Sequence, residues 1–375
     1  SLILADAVGL VVQINQCKIP TLLTGTDEHG LKVQIAARSS VNIDSFCKEM
    51  SRNFFNLAMN CVSKSFQFVR TTDAVHCKRV QDVWRILQDK RFIYKGTHKG
   101  WYCLNDESFV SNSSIQILKA AKINNSEMID SLGKRYIYLE EEGYKFKIAS
   151  FVNEIKQWIN SALTLIPNCF LAQSEKYLED GLEDVSISRP ATKNFHWGIP
   201  VPGDDGHLIY VWFDALLGYL GNNAHFTESQ SLLETSPLQN TNIPVWSVPD
   251  CQIFGKDILK FHITLFPAIL LALNLPLPKK YVVHSHWLID GQKMSKSLGN
   301  AIEPVDIINR VSIDSFRYYL LKQSKLDADS DFSLMELLKV HKNDLVDGLG
   351  NTVSRSLNPA FIDNFDSFNI RASEK

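Results

Sequence analysis

Three short apolar runs constrain this chain more than any other feature. Thr21–Gly25, Cys251–Gly255 and Tyr281–His286 read as buried strands. The first runs through the polar turn Thr26-Asp27-Glu28-His29-Gly30 into a helical pattern from Leu31 to Arg38. The second runs through Gly255-Lys256-Asp257 into an apolar helix from Ile258 to Leu273. Continuous apolar strands separated by helices point to an α/β fold with a parallel sheet covered on both faces. Helical crossovers bring the carboxyl ends of such strands to one edge, where open α/β sheets bind their ligands.

The rest of the chain fits around that frame. Phe46, Met50, Phe54 and Leu57 have helical spacing, as do Val80, Val83, Trp84 and Leu87, with Asp44 and Asp73 placed to cap the two helices. Near Phe92 the texture changes to aromatic, glycine-broken and strand-like. Residues 92–148 read as an insertion of short strands, with Arg135–Leu139 and Tyr144–Ile148 forming a hairpin about a Glu140–Gly143 turn. A helix with Val152, Ile155 and Ile159 on one face follows. Tyr210–Asp214 reads as a strand end running into a helix, and Gly203–Gly206 and Ser229–Asn242 as polar loops. Pro304 suits a first helical turn, and Leu334 to about Leu357 is helical again.

With 375 residues, 45% of them hydrophobic, the chain can bury a large core in two or three domains. The net charge of −2 leaves no global basic footprint, so a nucleic acid would be bound by a local patch. No apolar run reaches membrane-spanning length. The seven cysteines form no Cys-x-x-Cys pair and are odd in number, which favours free thiols in a reducing compartment.

The most specific chemistry lies in His284–Asn300, HSHWLIDGQKMSKSLGN. Asp290-Gly291 is a turn signal. It presents Lys293-Met294-Ser295-Lys296-Ser297, two compact cationic groups on flexible stems. Such a pair suits a mobile loop that follows negative charge as it builds on a leaving polyphosphate.

This pentapeptide resembles the second signature of the class I aminoacyl-tRNA synthetases. Five stretches in order resemble the methionyl branch of that family: Gly25–Gly30, Ser186–Pro200, Tyr210–Tyr219, Ile253–His262 and the lysine loop. They cover about residues 1–355. The resemblance implies a Rossmann-like doubly wound parallel sheet, split by a connective insertion and followed by an α-helical region. Residues 1–91 and 149–290 would form the two halves of the catalytic domain, and 92–148 the insertion. Residues 291–335 would form the lysine loop and stem-contact region, and 336–375 the start of a helical anticodon-binding domain.

The same resemblance assigns roles. Asp27 would hold the amino acid's ammonium; read alone, it also suits a helix N-cap, and the roles are compatible. His29 has two open readings, contact with substrate or a histidine satisfied by backbone. Arg189 matches the arginine that orients this aspartate and the substrate carboxylate. Trp212, Ala215, Leu216, Tyr219, Ile258, Phe261 and His262 match the methionine pocket, although Leu216 stands where some members have proline. A thioether favours aromatic contacts, so the chemistry agrees. Gly255, Lys256 and Asp257, backbone groups of Trp287 and Leu288, and Lys293, Ser295 and Lys296 would bind ATP, with the two lysines and substrate-bound Mg²⁺ compensating charge on pyrophosphate.

Two departures matter. The other class I signature, His-x-Gly-His, occurs nowhere in the chain. The family places it just before the segment matching Ser1, so the sequence is expected to be a fragment, inactive or nearly so without that segment. Where many methionyl enzymes carry paired cysteines, Trp101–Glu107 holds only Cys103, so no structural zinc is expected. This zinc-free pattern resembles the mitochondrial branch, and the insertion is too short for a separate editing domain of ordinary size. The implied function is ATP-dependent attachment of methionine to tRNA(Met), by a monomer without membrane contact, in the mitochondrial matrix or alternatively the cytoplasm. The rivals are a synthetase for another apolar amino acid and an inactive tRNA-binding paralogue.

Overall fold

The computed structural model describes residues 1–37, 42–63, 66–103, 108–109, 122–124, 127–129, 135–179, 181–192, 197–222, 246–294 and 300–358. The expected helix end at Arg38, the loop Ser229–Asn242, residues 104–107 of the insertion, and Ser295 and Lys296 lie outside them. The chain divides into two compact units, one of residues 1–58 and 64–284, the other of 59–63 and 285–375.

The first unit carries the α/β pattern. Helix α1 (Leu2–Gln16) leads to strand β1 (Leu22–Thr26). Helices α2 (Leu31–Ala36) and α3 (Ile43–Cys61) then cross to strand β2 (Phe66–Arg70), which lies parallel to β1 with Gly25 opposite Val69. Helix α4 (Ala74–Asp89) buries Val80, Val83, Trp84 and Leu87, the four positions its spacing singles out. A long antiparallel ribbon follows, β3 (Ile93–Cys103) against β4 (Arg135–Phe146). Farther on come β5 (Thr164–Ile166), β6 (Ser188–Pro190), β7 (Asp204–Ile209) and helix α5 (Val211–Leu217). Strand β8 (Cys251–Gly255) then crosses through helices α6 (Leu259–Ile263) and α7 (Leu265–Ala272) to β9 (Lys280–His284). β9 pairs in parallel with both β8 and β5. The α/β reading therefore holds, with parallel ladders at β1–β2 and at β8–β9–β5.

One apolar core joins α4, α5, α7 and the base of the ribbon. Trp84 is its pivot. Its fully buried ring meets Phe213 of α5 at 5.7 Å and Tyr144 of the ribbon at 5.4 Å, both edge to face. Loss of such a ring typically costs about 3–5 kcal/mol, so the seat of α5 is firmly set.

Four local expectations need correction. Glu140–Gly143 is not a turn, because β4 runs through it in register with Gly96–Lys99. Opposite charges across that ladder favour continuity: Lys99 meets Glu140 at 2.7 Å and Lys95 meets Glu142 at 3.9 Å. On α3 the buried residues are Cys47, Ser51, Ala58 and Cys61; Phe46, Met50 and Leu57 are half-buried, while Phe54 is 56% exposed. Small residues are needed there because Ser51 Oγ approaches Thr26 Oγ1 at the end of β1 to 3.2 Å. Asn42, not Asp44, supplies the oxygen at the start of α3, accepting from the Asp44 amide. Asp73 does stand at the start of α4, but its carboxylate turns back to the Arg70 amide. Finally, Val211 already begins α5, so Tyr210–Asp214 is a helix start; the strand before it takes in most of the expected loop at Gly203–Gly206.

In the second unit, β10 (Trp287–Ile289) turns through Asp290 and Gly291, both with positive φ, into β11 (Gln292–Lys293). Positive φ at both central residues is the twist a two-residue hairpin favours. Helix α8 (Pro304–Val311) has its proline in the first turn, and α9 (Ile313–Gln323) follows from a Ser312 cap. Strand β12 (Ser330–Asp331) lies parallel to β10, and helical structure runs from Leu334 to Ser356, with wider turns over His341–Gly350. Among the described residues no helix is long and apolar enough to cross a membrane.

Gly25 bears directly on the end of β1. A Cβ there would stand 2.0 Å from the Val69 carbonyl oxygen, which is backbone and has little room to yield. Gly25→Ala should cost about 1–3 kcal/mol by forced overpacking, read as a lowered urea midpoint with an unchanged slope.

Candidate functional site

Four segments of the first unit converge at the end of β1. Asp27 is exposed there, while Glu28 and His29 are buried. The Glu28 carboxylate accepts from Arg70 Nε at 2.9 Å and Nη2 at 2.8 Å, from Thr72 Oγ1 at 2.5 Å and from Thr26 Oγ1 at 2.8 Å. Its backbone is held too: the amide donates to Thr71 Oγ1 at 2.9 Å, and the carbonyl accepts from Trp197 Nε1 at 2.8 Å. Burial alone would push the Glu28 carboxyl up. The hydrogen bonds from Arg70, Thr72 and Thr26 and the Arg70 charge outweigh it and hold it below the ordinary carboxylate range.

His29 turns the other way. Its Nδ1–H donates to Asp214 Oδ2 at 2.6 Å, and Trp197 packs against the ring edge to face at 5.8 Å. The second Asp214 oxygen accepts from His76 Nε2 at 2.5 Å. A carboxylate only accepts, so the hydrogen of each facing nitrogen is assigned. His76 presents Nε2 to this carboxylate, and its Nδ1 is buried without a partner. Burial would lower His29, but the Asp214 carboxylate, then Asp27 and Glu28, raise it above its ordinary value. Burial would raise Asp214, and the two histidines lower it. Of the two open readings of His29, the backbone-satisfied one gives way: its ring partner is a buried carboxylate.

Helices α5 and α6 supply an aromatic wall. Trp212 and Phe261 stack at 4.0 Å and 12°. Trp212, Ala215, Tyr219, Ile258 and Phe261 are half-buried, whereas Leu216 and His262 are fully buried behind them. Tyr219 faces His262 edge to face at 5.3 Å. Burial, with Asp27 adding its charge, pushes the Tyr219 phenol up to about 12. His262 Nδ1–H donates to the Ile258 carbonyl at 3.0 Å, and Nε2 is buried without a partner. Burial lowers its pKa to about 4, so the ring is neutral and offers a bare lone pair.

The remaining expected residues fall as follows. Arg189 Nη1 donates to Ser186 Oγ at 2.9 Å and to the Ser188 carbonyl at 2.7 Å, and its guanidinium lies over Tyr210 at 4.5 Å and Tyr102 at 5.3 Å. Gly255 ends β8, and Lys256 and Asp257 follow it, with Asp257 exposed. Trp287, Leu288 and Lys293 belong to the second unit. There the Trp287 ring packs on Tyr319 at 5.8 Å, the Leu288 carbonyl accepts from the Phe332 amide at 2.8 Å, and Lys293 is exposed on β11. Cys103 is buried and in no disulfide. Sequence reasoning passes over Glu28, Arg70, Thr72, His76 and Asp214. One signal was available: Arg70-Thr71-Thr72-Asp73 repeats, at the end of β2, the polar strand-end pattern that follows β1.

The α/β unit with parallel ladders that carries these residues has the Rossmann-type fold of the class I synthetases. The chain belongs to the family described as tRNA synthetases class I (M), whose model matches residues 1–357. It is 37% identical over 360 residues to the probable mitochondrial methionine–tRNA ligase of Schizosaccharomyces pombe, covering 95% of this chain and 65% of that protein. It is 36% identical over 334 residues to the mitochondrial methionine–tRNA ligase of Homo sapiens, covering 88% and 54%. The chain thus spans between half and two-thirds of the length of these relatives. A solved structure of Mycobacterium tuberculosis methionyl-tRNA synthetase in complex with methionyl-adenylate superposes with a TM-score of 0.81 at 29% identity, covering 97% of this chain and 68% of that one.

Two expectations follow. Glu28 has a lowered folded pKa, so its contribution is complete above the ordinary carboxylate range and is lost as pH falls through the lowered value. Glu28→Gln should therefore lose about 2 kcal/mol at neutral pH, with the gap in melting temperature to wild type closing in acid. For His262, nitrogen-edge NMR should show the neutral Nδ1–H tautomer, with no titration above about pH 5.

Proposed function

We propose that this chain is the catalytic part of a methionine–tRNA ligase. The observation that carries the reading is the half-buried Trp212–Phe261 stack on a helix whose Asp214 holds His29, the residue whose amide donates to the exposed Asp27 carboxylate. A carboxylate takes the ammonium of an amino acid by a charge-assisted hydrogen bond. A polarizable thioether favours aromatic rings. Family membership and the names of the relatives support the same choice.

In this reading Asp27 binds the ammonium, and Arg189 serves the carboxylate end. Trp212, Ala215, Tyr219, Ile258 and Phe261 line the side chain, backed by Leu216 and His262. Gly255, Lys256, Asp257, Ser295 and the backbone of Trp287 and Leu288 serve ATP. The methionine carboxylate attacks the α-phosphorus of ATP, and the bond to pyrophosphate breaks. Lys293, Lys296 and substrate-bound Mg²⁺ compensate charge on the leaving group. A terminal ribose hydroxyl of tRNA(Met) then attacks the activated carbonyl, and AMP leaves. Positioning and electrostatics carry the rate, and no covalent enzyme intermediate is needed. Residues 92–148 serve as the connective insertion, and residues 336–375 begin an anticodon-binding helical region. The protein acts as a monomer in the mitochondrial matrix, a location supported by the names of its relatives.

The test is amino-acid-dependent ATP–pyrophosphate exchange by the longer protein that contains this chain. Methionine should support exchange, and Lys296→Ala should lower it about 10²–10³-fold. A folded protein that binds tRNA but exchanges with no amino acid would be a binding paralogue. Exchange with a different apolar amino acid would reassign the substrate.

A further inference from the structure

Asp214 is 1% exposed, lies on the helix that carries the aromatic wall, and spends each oxygen on a different histidine. We infer that Asp214 is a positioning residue that sets the distance between the carboxylate taking the substrate's ammonium and the pocket taking its side chain. This rests on the function proposed above.

The connection is short and can be followed bond by bond. The His29 backbone amide donates to Asp27 Oδ1 at 3.3 Å, so His29 orients the ammonium-binding carboxylate through its own peptide. The His29 ring is in turn held by Asp214 at 2.6 Å and by the Trp197 edge. Asp214 lies on α5, two residues after Trp212 and five before Tyr219. His76 anchors the other oxygen from α4, so the carboxylate has no rotation left to it. The two ends of the bound amino acid are thereby referred to one rigid group. A buried ion pair is a poor source of stability, since well-packed apolar residues often do as well. It is an effective source of geometry, because a shifted helix would leave a buried charge unpaired. Asp214 touches no substrate atom in this scheme; it acts through His29.

The experiment is ATP–pyrophosphate exchange by the longer protein, comparing wild type with Asp214→Asn, His29→Asn and the double variant. KM is read separately for amino acid and ATP. Length discrimination is read as the ratio of kcat/KM for methionine to that for S-methylcysteine, one methylene shorter. Both single variants should raise KM for methionine about tenfold, leave KM for ATP within about twofold, and lower the length ratio at least about tenfold, as one methylene is worth about 10–200-fold in a well-defined pocket. The double variant should be no worse than the more affected single, as for two residues acting in series.

Losses that multiply would overturn the inference. So would a uniform fall in kcat with KM and length ratio unchanged, the mark of a merely structural role. If Asp214→Asn does not fold, His29→Asn decides alone, because it cuts only the ring contact; an unchanged methionine KM and length ratio there overturns the inference. If wild type exchanges with another amino acid, the functional reading falls, and the same split measured with that amino acid and its shorter homologue decides for Asp214. No exchange with any amino acid overturns both.

Discussion

The Glu28 carboxylate sits at the end of β1 almost sealed from water, and the strand end is built around its need for donors. An unpaired buried carboxylate would cost several kcal/mol. The fold meets that cost with a bidentate arginine and two threonine hydroxyls. Each donor draws a separate piece of chain to the same place. Arg70 and Thr72 bring the end of β2, and the Glu28 carbonyl brings Trp197. The small face of α3 follows, because a larger side chain than Ser51 or Cys47 would push the helix off the strand end. Successive residues then point in different directions. Glu28 faces the protein, Asp27 faces solvent, and His29 reaches for α5. The exposed charge is rigid because its neighbour is buried.

A second buried carboxylate repeats this logic deeper in the unit. Asp214 is held by two imidazoles; burial opposes charge on His29, but the Asp214 carboxylate raises it toward the charged form. The wall formed by α5 and α6 therefore meets the strand end through a charged contact, while behind it the core is apolar. His262 marks where polarity stops: neutral, fully buried, and stacked on Phe254 at 3.9 Å. From Asp27 to His262 the surroundings pass from solvated charge to a single lone pair, the gradient an amphipathic amino acid itself presents.

Much of this was legible in the sequence where the signal is local. The apolar strands, the buried face of α4, the Asp290-Gly291 turn and the proline opening α8 were all visible because each depends on neighbours within a few residues. The aromatic wall was visible only through family resemblance, since aromatic residues at helical spacing are otherwise ordinary core. What stayed hidden depends on distant partners. Arg70 lies 42 residues from Glu28, and Asp214 lies 185 from His29. No periodicity reports such pairs. The Glu140–Gly143 segment misled for the same reason: its acidic run looks like a turn until the lysines of β3 stand opposite it.

The ribbon of β3 and β4 has a mechanical consequence. Eleven paired positions at about 3.3 Å per residue make an arm about 35 Å long, joined toward its far end by the short strands Ser108–Phe109, Lys122–Asn124 and Glu127–Ile129. At its root Ile93 and Phe146 are sunk in the main core, and Tyr144 and Lys95 are fastened to Asp204. Toward the far end Trp101 packs on the small cluster of Cys103, Met128 and Tyr136, and Tyr102 lies under the Arg189 guanidinium. A load carried down this arm reaches Trp84 through the Tyr144 ring. Since Trp84 also seats α5 through Phe213, the helix bearing the aromatic wall shares a fulcrum with the arm.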